Sequence, residues 1–138
     1  MKRGTILHPE LSRVVAALGH GDALVIADAG LPIPQGVERI DLAYAPGKPP
    51  FLDVLEAILA EMEVERAIVA AETETVTPEA FSRPLHDRLR SLPKVAARGV
   101  ELVPHEELKR LTRGARAVVR TGEFTPYANV ILLAGVVF

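Results

Sequence analysis

The segment opened by Pro9 and Glu10 repeats Leu11, Val14, Val15 and Leu18 at three- and four-residue spacing before Gly19. That predicts an amphipathic helix stopped by glycine. Ala23 to Ala27 is then an unbroken apolar run bounded by Asp22 and Asp28, the pattern of a strand covered on both faces. Two prolines in Ala29-Gly30-Leu31-Pro32-Ile33-Pro34 forbid its continuation as a central strand. Pro46 to Pro50 reads as a rigid turn into a helix over Phe51 to Met62, whose apolar face (Phe51, Leu52, Val54, Leu55, Ile58, Leu59, Met62) is wider than a surface helix needs.

The second half continues the alternation. Arg66 to Ala71 predicts a strand, and Thr77-Pro78-Glu79 starts a helix that Pro84 is expected to bend or split. Val100 to Val103 is a short strand. Pro104 with Glu106 and Glu107 marks a further helix start. Ala117 to Arg120 and Val130 to Phe138 complete the set as strands. The expectation is a single α/β domain over residues 1–138, a three-layer α/β/α sandwich around a largely parallel sheet, with the last two strands able to pair as antiparallel neighbours.

Composition narrows the chemistry. A chain of 138 residues buries roughly 68% of the surface its unfolded form exposes, enough for one sizeable core. Cysteine is absent, which removes disulfides, thiolate metal sites and a cysteine nucleophile and fits a cytoplasmic location. The 16 basic and 18 acidic residues are interspersed, without the basic stripe that nucleic acid requires. No apolar run approaches a membrane span, and the apolar stretch near Met1 is too short for a signal peptide. Asn129 is the only asparagine and Gln35 the only glutamine.

The histidines are His8, His20, His86 and His105, none spaced from another as helix-borne metal ligands are. His20 lies just past the first helix, near Asp22 and Asp28 in sequence. It is either a proton donor favoured by that negative surrounding or a solvent-facing helix-end residue. Asp28 closes a strand, where open α/β sheets gather ligands, and either accepts ligand hydroxyls, orients a histidine, or starts a tight turn. His105, in the opening turn of a helix, is expected to be held neutral by the dipole or to be a surface residue. Tyr127 and Asn129 offer a hydroxyl and an amide two positions apart, for hydroxyl recognition or as a turn into the final strand.

Four blocks, Leu18-Gly19-His20-Gly21-Asp22, Asp28 to Pro34, Arg39-Ile40-Asp41, and Gly122-Glu123 followed by Thr125-Pro126-Tyr127-Ala128-Asn129, occur in an order that resembles the D-ribose pyranase family, the RbsD/FucU-type sugar mutarotases. The likeness spans essentially the whole chain, although His8 and the stretch from Thr73 to Arg98 depart from the pattern. It implies a cofactor-free isomerase of ribose catabolism that opens and recloses the ring of free D-ribose by acid/base catalysis. By resemblance the proton donor falls on His20 and sugar contacts on Asp28, His105, Tyr127, Ala128 and Asn129.

Gly30 and Ala128 match the ribose rather than the fucose branch, which leaves a mutarotase for fucose or another sugar as one alternative. A non-catalytic sugar-binding subunit of a ribose uptake system is the other. The resemblance further implies a homodecamer of two stacked five-membered rings, with sites completed across subunit boundaries. Such an assembly would account for the wide apolar face of the Phe51 helix and for the apolar C-terminus.

Overall fold

The computed structural model describes residues Met1–Phe138. Helix α1 (Pro9–Ala17) begins at His8, whose Nδ1 accepts the Leu11 N–H at 3.2 Å, doing what a small polar cap usually does. Strand β1 (Ala23–Ala27) coincides with the apolar run. Strand β2 (Glu38–Asp41) was not expected, because only Ile40 of its four residues is buried and no alternation is visible in so short an edge strand.

Helix α2 (Phe51–Leu59) buries Phe51, Val54, Leu55 and Ile58 within the chain's own core. Phe51 meets Phe81 edge to face at 5.6 Å. The wide apolar face of this helix is therefore covered by its own chain, and no partner is needed to explain it.

Strand β3 (Val64–Ala70) leads through the short helix α3 (Glu72–Thr75) into α4 (Glu79–Arg90). Of the two expected effects of Pro84, splitting does not occur, and α4 runs through it. It lies on the exposed side, so the Ala80 carbonyl that loses its donor is left to water. Helix α5 (Pro93–Arg98) precedes β4 (Glu101–Val103). Helix α6 (His105–Leu111) is followed by a 3₁₀ turn, β5 (Ala117–Arg120) and β6 (Val130–Ala134).

The sheet order is β2-β5-β1-β6-β3-β4. All neighbours are parallel except β6, which runs antiparallel to both β1 and β3. The last two strands are thus not partners. β5 and β6 flank β1 on opposite sides, and β6 ends at Ala134 rather than Phe138.

Side chains alternate across the sheet to build two cores. Leu24, Ile26, Val69, Val119, Val130 and Leu132 pack with α1, α2, α4 and α5 on one face. Val25, Ile68, Val118 and Ile131 meet Leu31 and Leu108 of α6 on the other. Three layers result, unequally filled. No helix is long and apolar enough to cross a membrane.

Candidate active site

Because β6 is reversed, one edge of the sheet collects the C-terminal ends of the parallel strands together with the start of β6. Asp28 follows β1, Arg120 ends β5, His105 follows β4, and Asn129 precedes β6. This is the edge at which open α/β sheets hold ligands.

Asp28 is its centre. The Asn129 Oδ1 accepts the Asp28 N–H at 2.9 Å while the Asn129 Nδ2 donates to the Asp28 Oδ2 at 3.0 Å, and the Gly30 N–H donates to Oδ1 at 2.9 Å. Burial pushes the Asp28 carboxyl above the usual carboxylate range, against the downward pull of the Gly30 N–H, the Asn129 amide, the Leu31 N–H and His105.

Asn129 is fully buried and spends both ends of its amide on Asp28. In the isolated chain it holds the carboxylate in place rather than facing solvent. Ala128 is also fully buried, its side chain in the main core, which leaves only its backbone for a ligand.

Tyr127 adopts a positive φ of 61°, an uncommon conformation for an aromatic residue. Its carbonyl accepts the Asn129 N–H at 2.8 Å, and the preceding Pro126 carbonyl accepts the Thr77 hydroxyl at 2.9 Å. The Tyr127 ring meets His105 edge-on at 5.0 Å. His105 is the first residue of α6, and the Glu72 carboxylate accepts its backbone N–H at 3.0 and 3.2 Å. The His105 Nδ1 is buried without a partner.

Asp28, Ala29, Gly30, Arg120, Phe124 and Thr125 line a 470 Å³ concavity beside these groups. Arg120 is steadied by the Ala29 carbonyl at 3.0 Å and by Asp41 at 3.1 Å. Glu123 ties the floor together: it accepts the Phe51 N–H at 3.0 Å and the Thr125 hydroxyl at 2.9 Å. A Cβ on Gly122 would lie 2.3 Å from the Lys48 carbonyl oxygen, so only glycine fits there. Arg120, Glu72 and Glu123 were not singled out as functional from sequence. Their only signal is position, directly after apolar strands or within the Gly122-Glu123 block.

His20 is not part of this cluster. It precedes β1, whereas Asp28 follows it, and β1 alone spans about 13 Å at ~3.3 Å per residue. Its neighbours also differ from the expected ones. Asp22 turns to the Gly19 N–H and to Arg116, which together hold its carboxyl below the usual range, and the carboxylate that meets the His20 Nε2, at 2.8 Å, belongs to Glu65. His20, Leu18, Met62, Val136, Val137 and Phe138 line a second concavity of 300 Å³. Asp28, His105, Tyr127, Ala128 and Asn129 are therefore brought together by one chain, and His20 is held at the opposite edge.

The model of the RbsD / FucU transport protein family matches residues 1–137. A D-ribose pyranase of Paracidovorax citrulli is 59% identical over the full length of both chains. Among solved structures, Bacillus subtilis RbsD complexed with D-ribose superposes with a TM-score of 0.86, 48% identity and complete coverage of both chains. FucU from Bifidobacterium longum gives 0.73 at 27% identity, over 99% of this chain and all of its own.

Proposed function

The chain belongs to the RbsD / FucU transport protein family, and on that premise we propose that it is a D-ribose pyranase, an isomerase interconverting the pyranose and furanose forms of free D-ribose. The observation that carries this reading is the end-to-end likeness, at 48% identity, to a protein solved in complex with D-ribose. No part of the candidate site lies outside the matched region. The greater identity to that protein than to the FucU of B. longum favours ribose over fucose.

Ring exchange requires a proton to reach the ring oxygen while the anomeric hydroxyl loses one, giving the open aldehyde. The 4-hydroxyl then adds to the carbonyl carbon in place of the 5-hydroxyl, with the proton movements reversed. In this reading His20 supplies the proton to the ring oxygen, a contribution of typically 10²- to 10⁴-fold. Asp28 accepts hydrogen bonds from sugar hydroxyls, and Asn129 keeps its carboxylate turned to the cleft. The half-buried His105 and Tyr127 take further hydroxyls. The backbone at Ala128 closes that wall.

Since His20 and Asp28 lie at opposite edges of one sheet, the complete site is one built from two subunits. The assembly proposed is the cytoplasmic decamer of two five-membered rings. Support comes from apolar side chains left exposed at both candidate contact regions: Leu7 and Tyr44 beside a concavity lined by Ile6, Leu11 and Val54, and Val137 and Phe138 beside His20.

Saturation-transfer NMR of D-ribose with catalytic amounts of protein tests the activity. The expected result is transfer of saturation between pyranose and furanose signals in proportion to time and enzyme. Population changes that only track bound sugar would instead make the chain a binder, and faster exchange with fucose than with ribose would move it to the other branch.

A further inference from the structure

We propose that Glu65 is a positioning residue for His20, holding the proton on Nε2 so that Nδ1 is the nitrogen that exchanges a proton with the sugar. The inference rests on the reading of His20 as proton donor.

Its basis is the geometry around the second concavity. The His20 Nε2 and the Glu65 Oε2 are 2.8 Å apart, although the two residues belong to segments separated in the sheet by β6. Adjacent strands lie about 4.8 Å apart, so β1 and β3 are about 10 Å from each other. Two features let the side chains meet over that gap. The β3–β6 register shifts between Val64 and Arg66, which makes Glu65 the extra residue of a bulge. Bulges re-aim a side chain and are concentrated beside active sites. The strand between them continues into Gly135, where a Cβ would lie 3.2 Å from the Glu65 Cβ, so the absence of a side chain there leaves the space that Glu65 uses.

The loop that carries His20 is fixed as well. The Gly21 N–H donates to the Ala134 carbonyl and the Ala134 N–H to the Asp22 carbonyl, both at 2.8 Å, and Asp22 is anchored by Arg116 at 3.0 Å. The other carboxylates at this edge are occupied. Glu61 holds Lys2 and the Ile6 N–H, Glu63 holds Lys94, and Glu101 accepts from the Nε and Nη2 of Arg66. Glu65 makes its one hydrogen bond and ion pair with His20.

A carboxylate accepts but does not donate, so the nitrogen facing it keeps its proton in both charge states of the ring. Nδ1–H then gives its proton to the ring oxygen and, as a bare nitrogen, accepts the proton that the attacking 4-hydroxyl sheds on reclosure. Without Glu65 the neutral ring is free to place its single proton on either nitrogen and to rotate out of line.

The test compares Glu65→Ala and Glu65→Gln in the full-length protein, with oligomer size and thermal unfolding as controls. Exchange kinetics with D-ribose and ¹⁵N shifts of the labelled His20 ring are the two readouts. We expect Glu65→Ala to lower kcat about 10-fold or more, a part of the 10²- to 10⁴-fold that an acid/base group contributes, with KM for ribose unchanged. The ring nitrogens should pass from the Nε2–H pattern to a mixture. Glu65→Gln, whose amide oxygen still accepts from Nε2–H, should restore that pattern and part of kcat.

An unchanged kcat in Glu65→Ala, or a fall in kcat with His20 still in the pure Nε2–H form, overturns the inference. Its failure is separable from that of the underlying reading. Inactive His20→Ala beside fully active Glu65→Ala removes only Glu65, whereas a near-normal His20→Ala removes the proton donor itself.

Discussion

A subunit carrying His20→Ala keeps the whole Asp28 cluster, and one carrying Asp28→Ala keeps the whole His20 edge. Each homogeneous variant should be inactive if a site takes His20 from one subunit and Asp28 from another. When the two are unfolded together in equal amounts and co-refolded, a given site has its intact Asp28 with probability one half. Its facing subunit brings an intact His20 with probability one half. About one quarter of wild-type exchange per subunit should return, whatever the ring size, provided the contact is heterologous and mixing is random. Were both residues to act within one chain, no site in the mixture would be intact and the return would be zero.

The spacing makes the contrast sharp. With β1 of about 13 Å between them, no rotamer of His20 reaches a sugar held on Asp28 of its own chain. Asp28→Ala leaves the buried Asn129 Nδ2 without its acceptor, at a cost of about 1 to 3 kcal/mol, so its folding is checked by thermal unfolding before mixing. Exchange is read by saturation transfer and subunit mixing by native mass spectrometry. Fully mixed oligomers that stay inactive would refute the shared site.

Two further outcomes follow from the cores and loops. Gly122→Ala should destabilise the fold by about 2 kcal/mol or more in urea unfolding, since the added methyl meets Lys48 backbone atoms that cannot swing aside; a variant within about 0.5 kcal/mol of wild type would mean that the Lys48 turn yields freely. Burial and then Arg90 hold the His86 imidazole below the usual histidine range, so the folded state resists its protonation more than the unfolded chain does. Stability should be lost as pH falls from about 6.5 through the lower folded value, and His86→Gln should flatten that slope; an identical slope in the variant would refute the assignment.

The parts of the fold legible in sequence are those where one local pattern dominates. β1 is a bare apolar run and needed no context, and α2 announced its face through Phe51, Val54, Leu55 and Ile58. β2 was hidden because it is an edge strand showing charge on three of four residues. α4 survived Pro84 because that residue sits on the wet side, a property of tertiary placement rather than of the residue.

The site divided in the same way. Asp28 and His105 were visible as polar residues ending strands or opening helices. The partner of His20 was not, since sequence proximity pointed to Asp22 and Asp28 while the contact is made by Glu65, 45 positions away. The role of Asn129 as a clamp on Asp28 also joins residues 101 positions apart, and no short-range signal contains that information.

The reversed strand has a consequence for how the molecule comes into being. β6 is the last strand of this sheet to be synthesised, yet it sits in the sheet's interior, joining β2-β5-β1 to β3-β4. Until it is added, the chain holds two half-sheets whose facing edges offer unpaired backbone groups and apolar side chains. Closure of the sheet therefore waits for its last-made strand to slot between strands already made, and such long-range closure is slow and exposed to aggregation. A nascent chain halted before Val130 should remain protease-sensitive throughout, whereas early protection of β1 and β5 would show that one half-sheet stands without its keystone.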